Sequence, residues 1–271
     1  MMARVIAFEL CLPANAVISV AGQYPVLEPN HFAVFGNKAL FGGKSAPSGY
    51  SDLWVTDGTA AGTSALTHVS GFQLQPTDIT VFGSKALFDG AGNLWVTDGT
   101  AARTSQANVA GVFSAGLFFG FTPDFTVLGT KVVFTGDDAS GFRNLWVTDG
   151  TSIGTSELRV IGANARGLNP NGFAVLGSKA LFDGLDANGS NNLWATDGTS
   201  AGTSQPMVTG VGANGVNPHS LMVLSQRGVH MLLQLRPGAH NAVRYSRPTV
   251  AESLKCRAYI CAHQPRYRVC S

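Results

Sequence analysis

Four aspartates, Asp57, Asp98, Asp149 and Asp197, each stand directly before Gly-Thr. A recurring acid could belong to a ring of proton donors or cation ligands. The Gly-Thr that follows points to a humbler role, because a carboxylate at a turn accepts backbone N–H bonds. A second acidic set lies in "DGLDANGSNN" (183–192), with Asp183, Asp186, Asn188 and Asn192, and "GDDASG" (136–141) adds Asp137 and Asp138. Oxygen ligands at alternate positions suit calcium. Asp, Asn and Gly are also plain loop formers, and "DGAGN" (89–93) leaves no room for such a site. Loop formation is the stronger reading, with Asp183, Asp186 and Asn188 as the calcium candidates. No other cofactor is expected.

Three further matches fail on context. "GTSIG" (150–154) and "GTSAG" (198–202) satisfy the Gly-x-Ser-x-Gly pattern of a nucleophile elbow, which needs a strand-to-helix turn, an acid and a histidine. The same stretch is "GTAAG" at 58–62, so Ser152 and Ser200 are expected to be turn residues. "GVGANG" (210–215) lacks the βαβ surroundings of a dinucleotide site. Cys256, Cys261, His263 and Cys270 have no recognised zinc spacing, and Cys11 stands alone. His31, His68 and His219 occupy no repeated position. No catalytic residue is assigned.

The elements around these residues are repeats. "DLWVTDGTAAGTS" (52–64) returns as "NLWVTDGTAARTS" (93–105), "NLWVTDGTSIGTS" (144–156) and "NLWATDGTSAGTS" (192–204). A second phrase precedes each: "FAVFGNKALF" (32–41), "ITVFGSKALF" (79–88), "FTVLGTKVVF" (125–134) and "FAVLGSKALF" (173–182). Its glycines, Gly36, Gly83, Gly129 and Gly177, recur at intervals of 47, 46 and 48 residues. Such a period suits propeller blades. Each copy reads as four short strands: "FAVF", a Gly-first two-residue turn of type II′, "KALF", a variable loop, "LWVTD", the Gly-Thr turn, and a last strand over "SALTHV" (64–69). Lys38, Lys85, Lys131 and Lys179 follow the hairpin turn and are expected to guard strand edges. Stacked copies would bury Trp54, Trp95, Trp146 and Trp194 with Phe41, Phe88, Phe134 and Phe182. The expected fold is therefore all-β, a propeller or partial propeller of four-stranded antiparallel blades, with about four intact repeats plus fragments.

Composition agrees. Only 13% of residues are charged, 45% are hydrophobic, and glycine numbers 33, as befits a turn-rich β protein. No apolar run is long enough for a transmembrane helix. The first residues contain Glu9 and Pro13 where a signal peptide would be apolar, so no convincing signal peptide is seen. The net charge of +2 hides two unlike parts. Residues 1–225 hold 10 Lys and Arg against 15 Asp and Glu, a balance of −5; residues 226–271 hold 8 against 1, a balance of +7.

The domain boundaries follow. Residues 1–17 are unassigned, 18–224 hold the four repeats with partial units at both ends, and 225–271 form an aberrant basic tail. Residues 18–22 resemble the last strand of a blade and could close a ring or mark a truncated start. "LMVL" (221–224) opens a fifth copy, after which Asp, Phe and Trp vanish. A shifted reading frame or disorder is the expectation for the tail. A genuine basic arm for nucleic acid or anionic membrane is the rival.

The Leu-Trp-x-x-Asp-Gly-Thr run, as at Leu53, Trp54, Asp57, Gly58 and Thr59, resembles the bacterial repeat family named for Glu-Leu-Trp-x-x-Asp-Gly-Thr. Here the leading Glu is replaced by Asp52, Asn93, Asn144 and Asn192, and Arg103 replaces the second glycine in copy two. The resemblance implies a propeller-like repeat in an exported or cell-surface protein. The expected function is a non-enzymatic binding or scaffolding module for a surface ligand, protein or glycan, met at the variable loops. The alternatives are a propeller enzyme acting on glycans and a decayed gene fragment.

Overall fold

Alternation of side chains across short Val-, Phe- and Trp-rich segments makes strands, and glycine turns reverse them. A computed structural model of the chain describes residues 27–45, 50–67, 73–206, 216–223, 231–234, 242–244 and 259–261. Blade 1 is β1 (Asn30–Phe35), β2 (Lys38–Ser45), β3 (Tyr50–Thr56) and β4 (Ser64–Ala65). Blade 2 is β5 (Thr77–Phe82), β6 (Lys85–Gly90), β7 (Asn93–Thr97) and β8 (Ser105–Gln106). Blade 3 is β9 (Thr126–Leu128), β10 (Lys131–Asp137), β11 (Arg143–Thr148) and β12 (Ser156–Glu157). Blade 4 is β13 (Asn171–Leu176), β14 (Lys179–Leu185) and β15 (Asn191–Thr196), and its fourth strand is reduced to a single bridge between Ala195 and Ser204. Each sheet runs in chain order. Two hairpin-like pairs follow, β16 (His219–Val223) with β17 (Met231–Gln234) and β18 (Ala242–Arg244) with β19 (Tyr259–Cys261). The fold is all-β and of propeller type. The expected strand at 18–22 and most of the basic tail lie outside the described residues.

Local geometry explains the hairpins. Phe35 pairs with Lys38 across Gly36-Asn37. Gly36 has φ +63° while Asn37 is not among the positive-φ residues, the pattern of a type II′ turn. The first strand of three blades carries a register irregularity, between Asn30 and Ala33, Thr77 and Thr80, and Asn171 and Ala174. His31, Asp78 and Gly172 sit in these bulges with φ of 50°, 50° and 65°. The last strand is shorter than "SALTHV" suggested. After Ala65 only Leu66 still donates to β3, to the Leu53 carbonyl at 2.7 Å. The Leu53 N–H then turns to the Thr67 hydroxyl instead of backbone. His68 and Val69 lie outside the described residues. The four lysines begin β2, β6, β10 and β14, which have neighbours on both sides, so they do not guard sheet edges.

By contacts the chain forms two units: residues 1–91 with 95–106, and residues 92–94 with 107–271. In the first, Leu40, Leu53, Val55 and Leu66 of blade 1 pack on Ala86, Phe88 and Trp95 of blade 2. In the second, Leu128, Val133, Leu145, Val147 and Leu158 of blade 3 pack on Ala180, Phe182 and Trp194 of blade 4. So each blade has an aliphatic face and an aromatic face, and stacking sets one on the other. Blade 4 turns its aliphatic face, Leu181, Leu193 and Ala195, to Val216 and Leu221.

The aromatic face has a fixed construction. Phe41 pairs with Trp54 across the ladder, Phe134 with Trp146 and Phe182 with Trp194. The rings stack at 6.3 Å in blade 1 and 6.4 Å in blade 3. Each indole N–H donates to a glycine carbonyl in the neighbouring strand: Gly43, Gly90, Gly136 and Gly184, at 3.0–3.1 Å. The indole Cδ1 lies so close that a Cβ on any of these glycines would meet it at 2.6–3.1 Å. Replacing Trp194 by Phe keeps an aromatic ring but removes the indole N–H bond to the buried Gly184 carbonyl. The expected loss is about 1–3 kcal/mol, read as a lower denaturant midpoint for the full chain.

Candidate functional site

The Asp-Gly-Thr turn is built from its own side chains. In blade 1 the Asp57 Oδ1 accepts from the Thr59 N–H at 2.9 Å and the Thr59 hydroxyl at 2.7 Å. The Thr59 oxygen in turn accepts the Gly62 N–H. A second chain of bonds runs one way: the Gly58 N–H to the Thr56 hydroxyl, Thr56 to Thr63, and Thr63 to the Thr59 carbonyl at 2.6 Å. Each hydroxyl thus donates once and accepts, as its chemistry allows. Blades 3 and 4 repeat both chains at Asp149 and Asp197. A Cβ on Gly62, Gly154 or Gly202 would run into the Asp57, Asp149 or Asp197 carboxylate, which explains the second glycine of the phrase. In blade 2 Arg103 stands there instead. The chain tightens into a 3-10 turn over Ala101–Arg103, and the Arg103 Nε lies 3.6 Å from Asp98 Oδ2.

The hydroxyl bond from threonine, with the N–H bond beside it, holds Asp57, Asp98 and Asp197 below their ordinary pKa of 3.8. Lowered carboxylates stabilise the fold fully above that value and lose the contribution as pH falls through their folded pKa. The expected acid limb of thermal stability therefore begins below about pH 4 and becomes shallower in the double variant Asp57→Asn/Asp197→Asn. Gly202→Ala should cost about 1–3 kcal/mol by overpacking. Removing the carboxylate as well, in Asp197→Ala/Gly202→Ala, should cost less than the two single changes added together, as a double-mutant cycle would report.

The calcium candidates have other partners. Asp186 Oδ1 accepts the N–H groups of Asn188 and Ser190, both at 2.9 Å, and its Oδ2 accepts from the Asn192 side chain. Asp183 Oδ2 accepts from Asn191. Asp138 closes the corresponding loop of blade 3 through Ser140, Phe142 and Asn144. The Asp186 carboxylate braces its loop, in which Asn188 takes part through its backbone N–H. Among the described residues no three His, Cys, Asp or Glu side chains gather as a metal site. Ser152 and Ser200 lie in the turns, each accepting a threonine N–H through its carbonyl. Cys11, Cys256, His263 and Cys270 fall outside the described residues, as does 210–215. Burial raises the pKa of Asp137, whose Oδ1 has Arg143 Nε at 4.0 Å.

Two kinds of structural residue escaped the sequence reading. The first is an asparagine, Asn144 or Asn192, which ties a loop to a linker. While the Asn144 amide donates to Asp138, its oxygen accepts the Leu168 N–H; Asn192 does the same between Asp186 and Val216. The second is a leucine in the linker, Leu27, Leu74, Leu117 or Leu168. Its carbonyl takes an N–H from the second strand of the blade or the residue just after it, from Lys44, Ala91, Asp137 or Leu185. A signal for the linker was present: Pro29, Pro76, Pro123, Pro170 and Pro218 recur at intervals of 47, 47, 47 and 48.

Within the second unit a cleft of about 420 Å³ opens between the Gly-Thr turns of blades 3 and 4. Val147 and Leu158 form its buried floor. Asp149, Ile153, Gly154 and Ser156 stand on one side, with Thr199 and Ser200 on the other. Lys131 spans it and donates to the Gly198 carbonyl at 3.4 Å. In the first unit a Cβ on the corresponding Gly99 would meet the Phe35 ring at 3.0 Å, whereas a Cβ on Gly198 would meet Lys131 Cδ at 3.5 Å and Leu128 at 3.8 Å.

No protein-family model matches the chain, and no curated protein does. Solved structures are similar in fold. A puromycin-hydrolyzing peptidase of Mycobacterium tuberculosis aligns over 92% of this chain and 41% of its own, with a TM-score of 0.53 and 12% identity. A puromycin hydrolase aligns over 89% and 40%, with a TM-score of 0.49 and 14% identity. An oligogalacturonate lyase in complex with manganese aligns over 86% and 64%, with a TM-score of 0.44 and 14% identity. The chain thus spans well under half the length of the first two. The peptidase likeness, at a TM-score above 0.5, supports a propeller-type fold for this chain.

Proposed function

We propose that the chain is a non-enzymatic binding module of the Glu-Leu-Trp-x-x-Asp-Gly-Thr repeat type, belonging to an exported or cell-surface protein. What carries the reading is where the copies agree and where they differ. The shared side chains serve the frame: the aspartates brace their own turns, and the indoles bond to glycine carbonyls within their own sheets. The differences fall on surface loops, as in the second hairpin, which joins Gly90 to Asn93 in blade 2 but Asp137 to Arg143 in blade 3. A rigid frame with variable loops is the arrangement of a binding scaffold. Among the described residues no helix is long and apolar enough to cross a membrane.

The test is the immobilised full-length chain, washed with soluble oligosaccharides whose masses are measured before and after. Saturable retention of unaltered sugar is the expected result. Release of shortened sugars would favour a glycan-acting enzyme instead. Retention of none would remove glycans as the ligand class.

A further inference from the structure

We infer that the cleft between the Gly-Thr turns of blades 3 and 4 binds a neutral polyhydroxylated ligand about one or two sugar rings in size. This rests on the binding-module reading and gives it a place and a ligand chemistry. It also moves the contact to the end of the blades opposite the variable loops, since the Gly-Thr turns join the other ends of the strands.

Size comes first. A volume of about 420 Å³ falls within the range of small-molecule sites. Chemistry comes second. A sugar ring has an apolar C–H face and a rim of hydroxyls. The cleft offers Val147 and Leu158 as an apolar floor, with the hydroxyls of Ser156 and Ser200 around it. Its two charged groups, Lys131 and Asp149, are of opposite sign, so the lining favours neither an anion nor a cation. Hydroxyls accept from the ammonium and donate to the carboxylate.

The third observation concerns the rim. Ile153 stands there and is 99% exposed, while the same turn position holds Ala61, Ala102 and Ala201 in the other copies. A single exposed aliphatic residue is ordinary on a protein surface. One that replaces alanine in a single copy, at the lip of a cleft, gains cover when the cleft is occupied. The repeat itself does not require Ile153, so it is free to serve a ligand.

The experiment uses the full-length chain with ¹³C-methyl-labelled isoleucine, the Ile153 signal being assigned from Ile153→Ala. Methyl glucoside, methyl mannoside, methyl galactoside and N-acetylglucosamine are added in turn to about 50 mM, enough to occupy a millimolar site. The expected result is a saturable shift of the Ile153 methyl with at least one of them. Ser200→Trp should weaken it at least about tenfold by filling the cleft. Ser156→Ala/Ser200→Ala should weaken it likewise by removing two hydroxyls, and gives a second reading should the tryptophan disturb folding. If no sugar moves Ile153, the inference is overturned. A shift with sodium sulfate alone would mark an anion site on Lys131 and overturn it too. A sugar that still binds both cleft variants with full affinity sinks the cleft but leaves the binding-module reading standing. Release of shortened sugars in the oligosaccharide test would instead count against that reading.

Discussion

Every blade depends on meeting two needs of one tryptophan. The indole carries a large apolar surface that must leave water, and one N–H that must keep a partner when it does. The neighbouring strand answers both with a single glycine. Its carbonyl takes the N–H, and its missing side chain lets the ring lie against the backbone. The stacked phenylalanine covers the ring from the paired position. No other residue type could replace the glycine without pushing the indole away. The Phe-x-Gly spacing of the second strand and the Leu-Trp of the third are therefore two halves of one contact.

The Asp-Gly-Thr turn solves a separate problem. Between the third and fourth strands the chain must reverse at the surface, where bare N–H groups and hydroxyls would otherwise compete for water. Aspartate, threonine and the second glycine close the turn on itself, and Thr56 and Thr63 tie it to the strand. Because the turn needs nothing from its neighbours, it can be copied with little change. Blade 2 shows the limit of that tolerance. With Arg103 in place of glycine the backbone takes a tighter path, and the arginine itself lies beside the aspartate.

Stacking then follows from the unlikeness of the two faces. Within each unit an aliphatic face of Leu and Val meets an aromatic face of Phe and Trp, so blade 1 accepts blade 2, and blade 3 accepts blade 4, in one orientation. This is the logic of a repeat array, in which stability accumulates through nearest-neighbour interfaces. It also leaves freedom at places that no interface uses. The second hairpin loop varies in length, and the exposed position of the Gly-Thr turn holds Ile153 in one copy and alanine in the others. Binding surfaces can arise there without disturbing the indole contact.

Much of this was legible in the sequence because its causes are local. The period, the four strands, the type II′ hairpin and the bracing role of the aspartates depend on residues within a few positions of one another, and the residue types announce them. The burial of Trp and Phe was legible too, since a lone sheet cannot cover both faces. Other features depend on residues far apart in the chain. Nothing near Asn144 in sequence reveals that it bonds Leu168, 24 residues on. The length of the fourth strand was overestimated because its residues suit a strand, while the hydroxyl of Thr67 in fact ends the ladder. The lysines' neighbours are set by strand order, which no hairpin signal contains. Above all, the cleft is lined by residues of two blades, and it exists only once the Gly-Thr turn of blade 4 is placed beside that of blade 3. The sequence by itself determined the blade, because a blade is written in local patterns. Only the tertiary structure decided where space is left between blades, because space is a property of what packs against what.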